Sequence, residues 1–325
     1  MARSSRIHYY RRVLAAYLLP TRSQLTFWHD QPACGHFDPG VLGEYYMLFS
    51  EKADYPGPFD TAGIPLLDYR GNIGRQYNPI AIAQYGLGNH SLYVRTGHAE
   101  RRQKFLAAAG WLVCNLEKNP KGLWVWNHQF DFEYRTTLRA PWYSGLAQGQ
   151  GISVLLRAHT ETGDDQYLDG ARRAFAALLA PVDEGGVAFI DADGRTWIEE
   201  YIVSPPTHIL NGFIWASWGV YDYWLATRDR AAERLFQQAM ATLAAVLPRY
   251  DTGFWSLYEQ SGTRLKMLAS PFYHRLHTVQ LRILHALSAD ERFALYAQRW
   301  EDYQRKPLNR ARAVMQKAVF KLCYY

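Results

Sequence analysis

Pairs of helical segments recur along this chain at nearly even spacing, and that repetition narrows the fold to stacked or ring-forming helical hairpins. Apolar residues return every three to four positions over 79–96 and 99–118, 143–161 and 165–180, 207–226 and 229–247, and 273–287 and 290–304, so the pairs begin about 64–66 residues apart. Between pairs lie three aromatic, strand-like segments, 123–134, 187–201 and 253–267, which read as short excursions from the helical frame. The expected fold is mainly α: an incomplete α/α toroid of about four helical hairpins, with short β-hairpin excursions lining its cleft. A plain helical solenoid is the alternative. Residues 1–78 carry Gly and Pro at short intervals, as in Tyr55-Pro56-Gly57-Pro58, and are expected to form an N-terminal extension of loops and short strands packed on the main domain. The toroid is assigned to 79–306, and 307–325 to a basic amphipathic C-terminal tail.

With 325 residues, 48% of them hydrophobic and 20% charged, the chain can bury a sizeable core, which excludes disorder as its default state. Aromatic residues reach 15%, with 11 Trp and 23 Tyr; rings in such number fill cores, and they also line carbohydrate clefts. A formal charge of +6 and a pI of about 9.1 favour an acidic partner, whether nucleic acid, anionic lipid or a carboxylated polymer. No recognised nucleic-acid motif accompanies the basic residues, so nucleic acid is set aside. Basic clusters occur at the start (Arg3, Arg6, Arg11, Arg12) and at the end (Arg305, Lys306, Arg310, Arg312, Lys317, Lys321), the latter interleaved with Val314, Ala318, Phe320 and Leu322. Both termini are therefore candidates for peripheral contact with a membrane surface or a partner. Oligomeric state is open, a homodimer being one candidate. Cys34, Cys114 and Cys323 are far apart, odd in number and form no CxxC pair, which argues against a disulfide framework or a zinc site and for a reducing compartment. The apolar run 13–19 is too short to span a bilayer. The chain is expected in the cytoplasm, at most peripheral to a membrane.

Chemistry is expected where hairpins begin, because loops on a rigid scaffold supply function. Three such segments stand out: Tyr77-Asn78-Pro79-Ile80-Ala81-Ile82-Ala83-Gln84-Tyr85-Gly86-Leu87; Trp142-Tyr143-Ser144-Gly145-Leu146-Ala147-Gln148-Gly149-Gln150; and Trp197-Ile198-Glu199-Glu200-Tyr201, continued by Ser204-Pro205-Pro206-Thr207 and Leu210-Asn211-Gly212-Phe213. On their own, Glu199 and Glu200 read as a solvated strand end and the tyrosines as core rings. Together with Leu247-Pro248-Arg249-Tyr250-Asp251-Thr252-Gly253 and Tyr273-His274-Arg275-Leu276-His277, the segments resemble the glucuronyl C5-epimerases, which convert glucuronate to iduronate in heparan-type polymers. That family's pattern runs Tyr-Pro-Ile-x-Ile-Ala-Gln-Tyr-Gly-Leu, Gly-Trp-Tyr-Ser-Ala-Met-Ala-Gln-Gly-Gln, then Glu-Glu-Tyr-Pro followed by Val-Leu-Asn-Gly-Phe. Similar segments occur here in the same order, over roughly residues 64–303.

The resemblance implies a catalytic carboxylate at Glu200, active-site tyrosines at Tyr201, Tyr258 and Tyr273, and a substrate-binding asparagine at Asn211. Inversion at C5 removes a proton beside the sugar carboxylate and returns one from the opposite face, so it needs two acid/base groups across the sugar plane. Glu200 and Tyr273 are the expected pair, while the other tyrosines would hydrogen-bond the carboxylate as it gains enolate character. Heparosan or a heparan-type polymer is the implied substrate, with neither metal nor redox cofactor. Tyr85, Tyr143, Gln148, Gln150, His274 and His277 are further candidates for substrate contacts, each with a core or helix-start role as the alternative. No carboxylate or third histidine is spaced to join His274 and His277 around a metal.

The chain departs from the family at two places. Animal members carry an arginine three residues after the tyrosine that Tyr258 matches; here that place holds Ser261, so Arg264 is expected to reach back, with Arg70, Arg75 and Arg135 as substitutes. Ile202 stands where the family has proline after Glu-Glu-Tyr. Animal members also carry a membrane anchor and a β-rich domain, and this chain resembles the helical catalytic part with a short extension. Two other functions remain: a polysaccharide lyase, which forms the same C5 carbanion but expels the C4 oxygen, and a glycan-binding protein without catalysis.

Overall fold

The computed structural model describes residues 27–28, 31–69 and 73–324. A short helix α1 (Ser50–Ala53) and an antiparallel pair, β1 (Leu67–Asp68) with β2 (Arg75–Gln76), precede the repeats. Four hairpins follow: α2 (Pro79–Thr96) with α3 (Ala99–Cys114), α4 (Gly145–Thr162) with α5 (Asp165–Leu179), α6 (Leu210–Thr227) with α7 (Arg230–Tyr250), and α8 (Pro271–Ser288) with α9 (Glu291–Arg305). A last helix, α10 (Pro307–Tyr324), ends the described chain.

The hairpins share one turn chemistry. Each reverses through a left-handed residue and a helix cap, namely Gly97-His98, Gly163-Asp164, Arg228-Asp229 and Ala289-Asp290. The three aspartates accept a hydrogen bond from the backbone N–H two residues on, which satisfies a donor that the helix start would otherwise leave unpaired. The first helices are capped likewise by Asn78, Ser144 and Ser270, with Pro79 and Pro271 at the first helical position. Helix α3 stops at Cys114, short of the expected 118, because Asn115 closes it: its backbone N–H and its Nδ2 both donate to the Trp111 carbonyl, at 3.0 and 2.8 Å. The Asn119 side chain accepts from Lys121 N and Leu123 N, turning the chain into β3 (Glu117–Lys118) and β4 (Trp124–Val125).

In the second and third hairpins the first helix is apolar around much of its circumference and lies inside, while the second is amphipathic and lies outside. The inner helices pack in the order α2, α4, α6, α8, an arc of four hairpins that makes the incomplete toroid expected from the sequence. Close approach of α4 and α6 requires glycine: a Cβ on Gly149 would lie 2.6 Å from Ala216 Cα, and one on Gly219 would lie 2.2 Å from the Gly149 carbonyl oxygen.

The N-terminal segment seals the C-terminal ends of the inner helices. Tyr45 and Tyr46 lie on Trp218, and Phe49 on Trp215. Beneath them Arg157 and Asp222, both fully buried, pair at 2.6 Å; Tyr46 donates to Asp222 and Arg157 donates to the Gly43 carbonyl. This leaves the opposite, N-terminal ends of the inner helices free for a site. The excursions converge there: β5 (Phe132–Glu133) with β6 (Thr137–Leu138), and β7 (Ala188–Ile190) with β8 (Thr196–Ile198). The segment 253–267 forms no named strand and is held by the bridges Asp251–Ser256 and Leu257–Leu268. The stretch expected as a basic tail is helical, and it docks on this segment through buried Ala313, Lys317 and Phe320.

Candidate active site

Glu200 follows β8 at the mouth of the inner helices and is buried. The backbone before it is fixed by Gly145 N donating to the Glu199 carbonyl at 2.9 Å, an approach that a side chain at 145 would block. Its carboxylate lies against the first turn of α6, where Asn211 Nδ2 donates to Oε2 at 3.4 Å and Gly212 leaves the space the carboxylate fills. Burial is the main reason that the Glu200 carboxyl is pushed up to about 8; the charges of Glu259 and Glu199 add to the shift, and a hydrogen bond from Tyr201 opposes it. Near neutrality this carboxyl can therefore both hold and release a proton.

Glu199 points elsewhere. It pairs with His208, accepting from the ring at 2.5 Å and from the backbone N–H at 3.1 Å, while that ring stacks on Trp197. The two adjacent glutamates thus divide: Glu199 shapes the loop to α6, and Glu200 faces the tyrosines.

Tyr258 and Tyr273 meet edge to face with ring centres 4.9 Å apart, and Tyr201 lies 4.8 Å from Tyr134. Burial, then the nearby Glu200 charge, holds the Tyr201 and Tyr258 hydroxyls well above the usual phenol range, so they act as proton donors in hydrogen bonds. Tyr273 sits in the first turn of α8, half-buried. Glu200, Tyr201, Asn211, Tyr258 and Tyr273 thus come together at one end of the inner helices.

The remaining candidates separate from this cluster. His274 and His277 are fully buried and share Ser256 Oγ, and His274 also bonds the Trp300 carbonyl; burial lowers both rings, so they are neutral struts between the 253–267 segment and α9. Gln148 accepts from Trp126 N and donates to the Trp124 and Ala174 carbonyls, which ties α4 to β4 and α5. Gln150 pairs with Gln84 inside the arc. Tyr143 donates to the Gly185 carbonyl, and Tyr85 is buried at a separate cavity of about 550 Å³ lined by Tyr55, Phe59 and Lys104.

Arg264 is exposed, and so is Arg75; Arg70 lies outside the described residues. The arginine beside the cluster is Arg135, at the tip of the β5–β6 hairpin. Its Nη1 donates to the Ser261 carbonyl at 3.3 Å and lies 3.6 Å from Glu259. Glu259 is buried and accepts from the Tyr134 hydroxyl. Tyr134 and Glu259 were not foreseen, and the available signal was only adjacency: one precedes Arg135 and the other follows Tyr258. A cavity of about 370 Å³, lined by Thr136, Leu138, Trp142, Ile202 and Ser204, opens next to Tyr201, whose ring lies 5.7 Å from Trp142.

Comparison with known sequences shows the family to which the chain belongs. Residues 118–302, more than half of the chain, match the family model described as D-glucuronyl C5-epimerase C-terminus. The chain belongs to the D-glucuronyl C5-epimerase family. It is 32% identical to the D-glucuronyl C5-epimerase of Caenorhabditis elegans over 232 residues, or 65% of this chain and 37% of that protein. It is 31% identical to an uncharacterised protein of Methanocaldococcus jannaschii over 181 residues, or 55% of this chain and 57% of the relative. The chain therefore spans less than two thirds of either relative. Among solved structures, a family 76 glycoside hydrolase (mannosidase) of Bacteroides thetaiotaomicron aligns with a TM-score of 0.49 at 11% identity, covering 90% of this chain and 84% of that one. An unsaturated glucuronyl hydrolase of Streptococcus agalactiae aligns at 0.46 and 14%, covering 68% and 56%. Among the described residues of this family member, no group of three or more His, Cys, Asp or Glu side chains is placed to hold a metal ion.

Proposed function

We propose that the chain epimerises D-glucuronate residues to L-iduronate within an anionic polysaccharide, by abstraction of the C5 proton and its return from the other face. The observation that carries this reading is the buried Glu200 carboxyl, raised to about 8 and surrounded by phenols that keep their protons. A base in that range is matched to removing a weakly acidic proton near neutral pH. Glu200 takes the proton on one face of the ring; Tyr273, half-buried at the start of α8, serves the other. Tyr258 and Asn211 donate to the sugar carboxylate as negative charge spreads onto it, Tyr201 keeps its hydrogen bond to Glu200, and Arg135 supplies the neighbouring positive charge. Adjacent sugars of the polymer occupy the cavity beside Tyr201.

Heparosan, unsulfated and N-sulfated, incubated in heavy water with the chain tests this directly. Deuterium at C5 together with iduronate supports it. Ultraviolet absorbance from an unsaturated product would instead mark a lyase, and binding without exchange a glycan-binding protein. Glu200→Gln is expected to lower the rate about 10²–10⁴-fold. Tyr273→Phe should stop inversion yet leave slow exchange with retention, because the surviving base can return a proton to its own face.

A contact with membranes is also part of the proposal. On α10, Leu308, Met315, Val319 and Leu322 are exposed on one helical face, with Arg312 beside them. Among the described residues no helix is long and apolar enough to cross a membrane, so the contact would be peripheral. Sedimentation with anionic but not neutral vesicles is the expected result, and Met315→Glu should abolish it.

A further inference from the structure

Helix α10 lies outside the matched stretch 118–302, yet it reaches the candidate active site. Its docking face comprises Ala313, Lys317 and Phe320, spaced four and three residues apart and all buried. An apolar residue at position 317 would dock this face without the desolvation that an ammonium incurs. Lys317 instead reaches inward, donates to the Leu268 carbonyl at 2.6 Å and leaves Nζ 5.3 Å from the centre of the Tyr258 ring. Leu268 follows Met267, whose carbonyl accepts from Tyr258 N at 2.8 Å, so the ammonium and the ring are fixed by neighbouring links of one loop. Burial pushes the Lys317 ammonium down to about 7 and Lys321 on α10 pushes it the same way, while Glu259, next to Tyr258, favours the charged form.

We propose that Lys317 is a positioning residue of the active site, whose ammonium on the face of the Tyr258 ring orients that ring and strengthens its hydroxyl as a hydrogen-bond donor, making α10 part of the catalytic unit. A cation within about 6 Å of a ring centre is attracted to the ring electrons. It also draws electron density from the phenol, and in a site closed to water the effect is weakly screened. The inference rests on the epimerase reading, in which Tyr258 donates to the substrate carboxylate.

The test is a double-mutant cycle on C5 exchange in heavy water, with kcat and KM measured for the wild type, Lys317→Met, Tyr258→Phe and the double variant, alongside thermal unfolding. Lys317→Met should unfold at the same temperature or higher, because an apolar side chain suits the docking face. Its kcat should fall about tenfold with KM unchanged, and that loss should vanish when Tyr258 is already Phe. An equal loss in both backgrounds, or no loss in either, overturns the proposal. Should the Met variant unfold, Lys317→Gln, which keeps a donor for the Leu268 carbonyl, goes through the same cycle, and the same results support or overturn the proposal. A wild-type chain that exchanges no C5 hydrogen on any uronate polymer removes the epimerase reading itself, a failure distinct from any outcome of the cycle.

Discussion

The Glu200 carboxylate occupies the space that a side chain on Gly212 would fill: a Cβ there would lie 2.1 Å from Glu200 Oε2 and 2.6 Å from Glu200 Cβ. Glycine in the first turn of a helix is poor for helix stability, so its placement suits the carboxylate rather than α6. Gly212→Ala should lower the unfolding temperature as well as displace the carboxylate, since Glu200 Cβ, 2.6 Å away, can yield only together with the main chain. Displacing an acid/base group by about 1 Å is expected to cost on the order of 10²-fold in rate. Thermal unfolding and the C5 exchange rate, measured on the same sample, check both halves.

The elevated Glu200 carboxyl also fixes a pH dependence. In the direction in which Glu200 removes the proton, kcat should rise with pH through about 8, because only the ionised form is a base. Stability runs the other way. The folded value lies above the unfolded one, about 4.3 for glutamate, so the native state binds more protons between the two values. The contribution is fully present below about 4.3 and is lost as pH rises through about 8. Denaturant titrations should show Glu200→Gln gaining on the wild type as pH increases across that window.

The helical frame was legible because its cues are local. Apolar periodicity placed the four hairpins, and Asn78-Pro79, Ser144, Asp164 and Ser270-Pro271 mark starts that any chain would read as caps. The end of α3 was less legible, because the stop at Cys114 depends on Asn115 turning its side chain onto the Trp111 carbonyl. The cluster of Glu200 with Tyr201, Asn211, Tyr258 and Tyr273 was legible only through resemblance, because these residues arrive from separate excursions and helix starts. The charges around Glu259 were not legible at all. Arg135 reaches Ser261 across 126 positions, and Lys317 comes from a helix whose sequence reads as a surface segment. Spacing cannot report such pairings, since they depend on where the arc brings its loops.

At the other end of the arc, Arg157 and Asp222 test whether the N-terminal segment holds the fold apart from the chemistry. Both are fully buried, and the pair is completed by Tyr46 and the Gly43 carbonyl. Asp222→Asn leaves the guanidinium without a counter-charge, which is expected to cost about 3–5 kcal/mol. Chemical denaturation should register that loss. At a temperature where the variant remains folded, C5 exchange per folded molecule should match the wild type.

The sharpest disagreement between sequence and structure concerns the arginine proposed to accompany a substrate carboxylate. Position 261, where the resemblance calls for arginine, is serine, and Arg264, the nearest in sequence, is exposed. Arg135 donates to the carbonyl of that same Ser261 and stands 3.6 Å from buried Glu259, while the adjacent Tyr134 packs on Tyr201. The guanidinium is thus held from one edge, with further N–H groups available to a carboxylate. Arg135→Met should raise KM and lower kcat/KM on a uronate polymer by about 10²-fold, the magnitude expected for a charge-assisted hydrogen bond of roughly 3 kcal/mol. Arg264→Met should stay within about twofold of the wild type, because an exposed, solvated charge contributes little. A polymer whose uronates are methyl esters has no carboxylate for Arg135 to recognise, so the penalty of Arg135→Met should shrink on it. Equal penalties on both polymers would assign Arg135 to holding Glu259 alone.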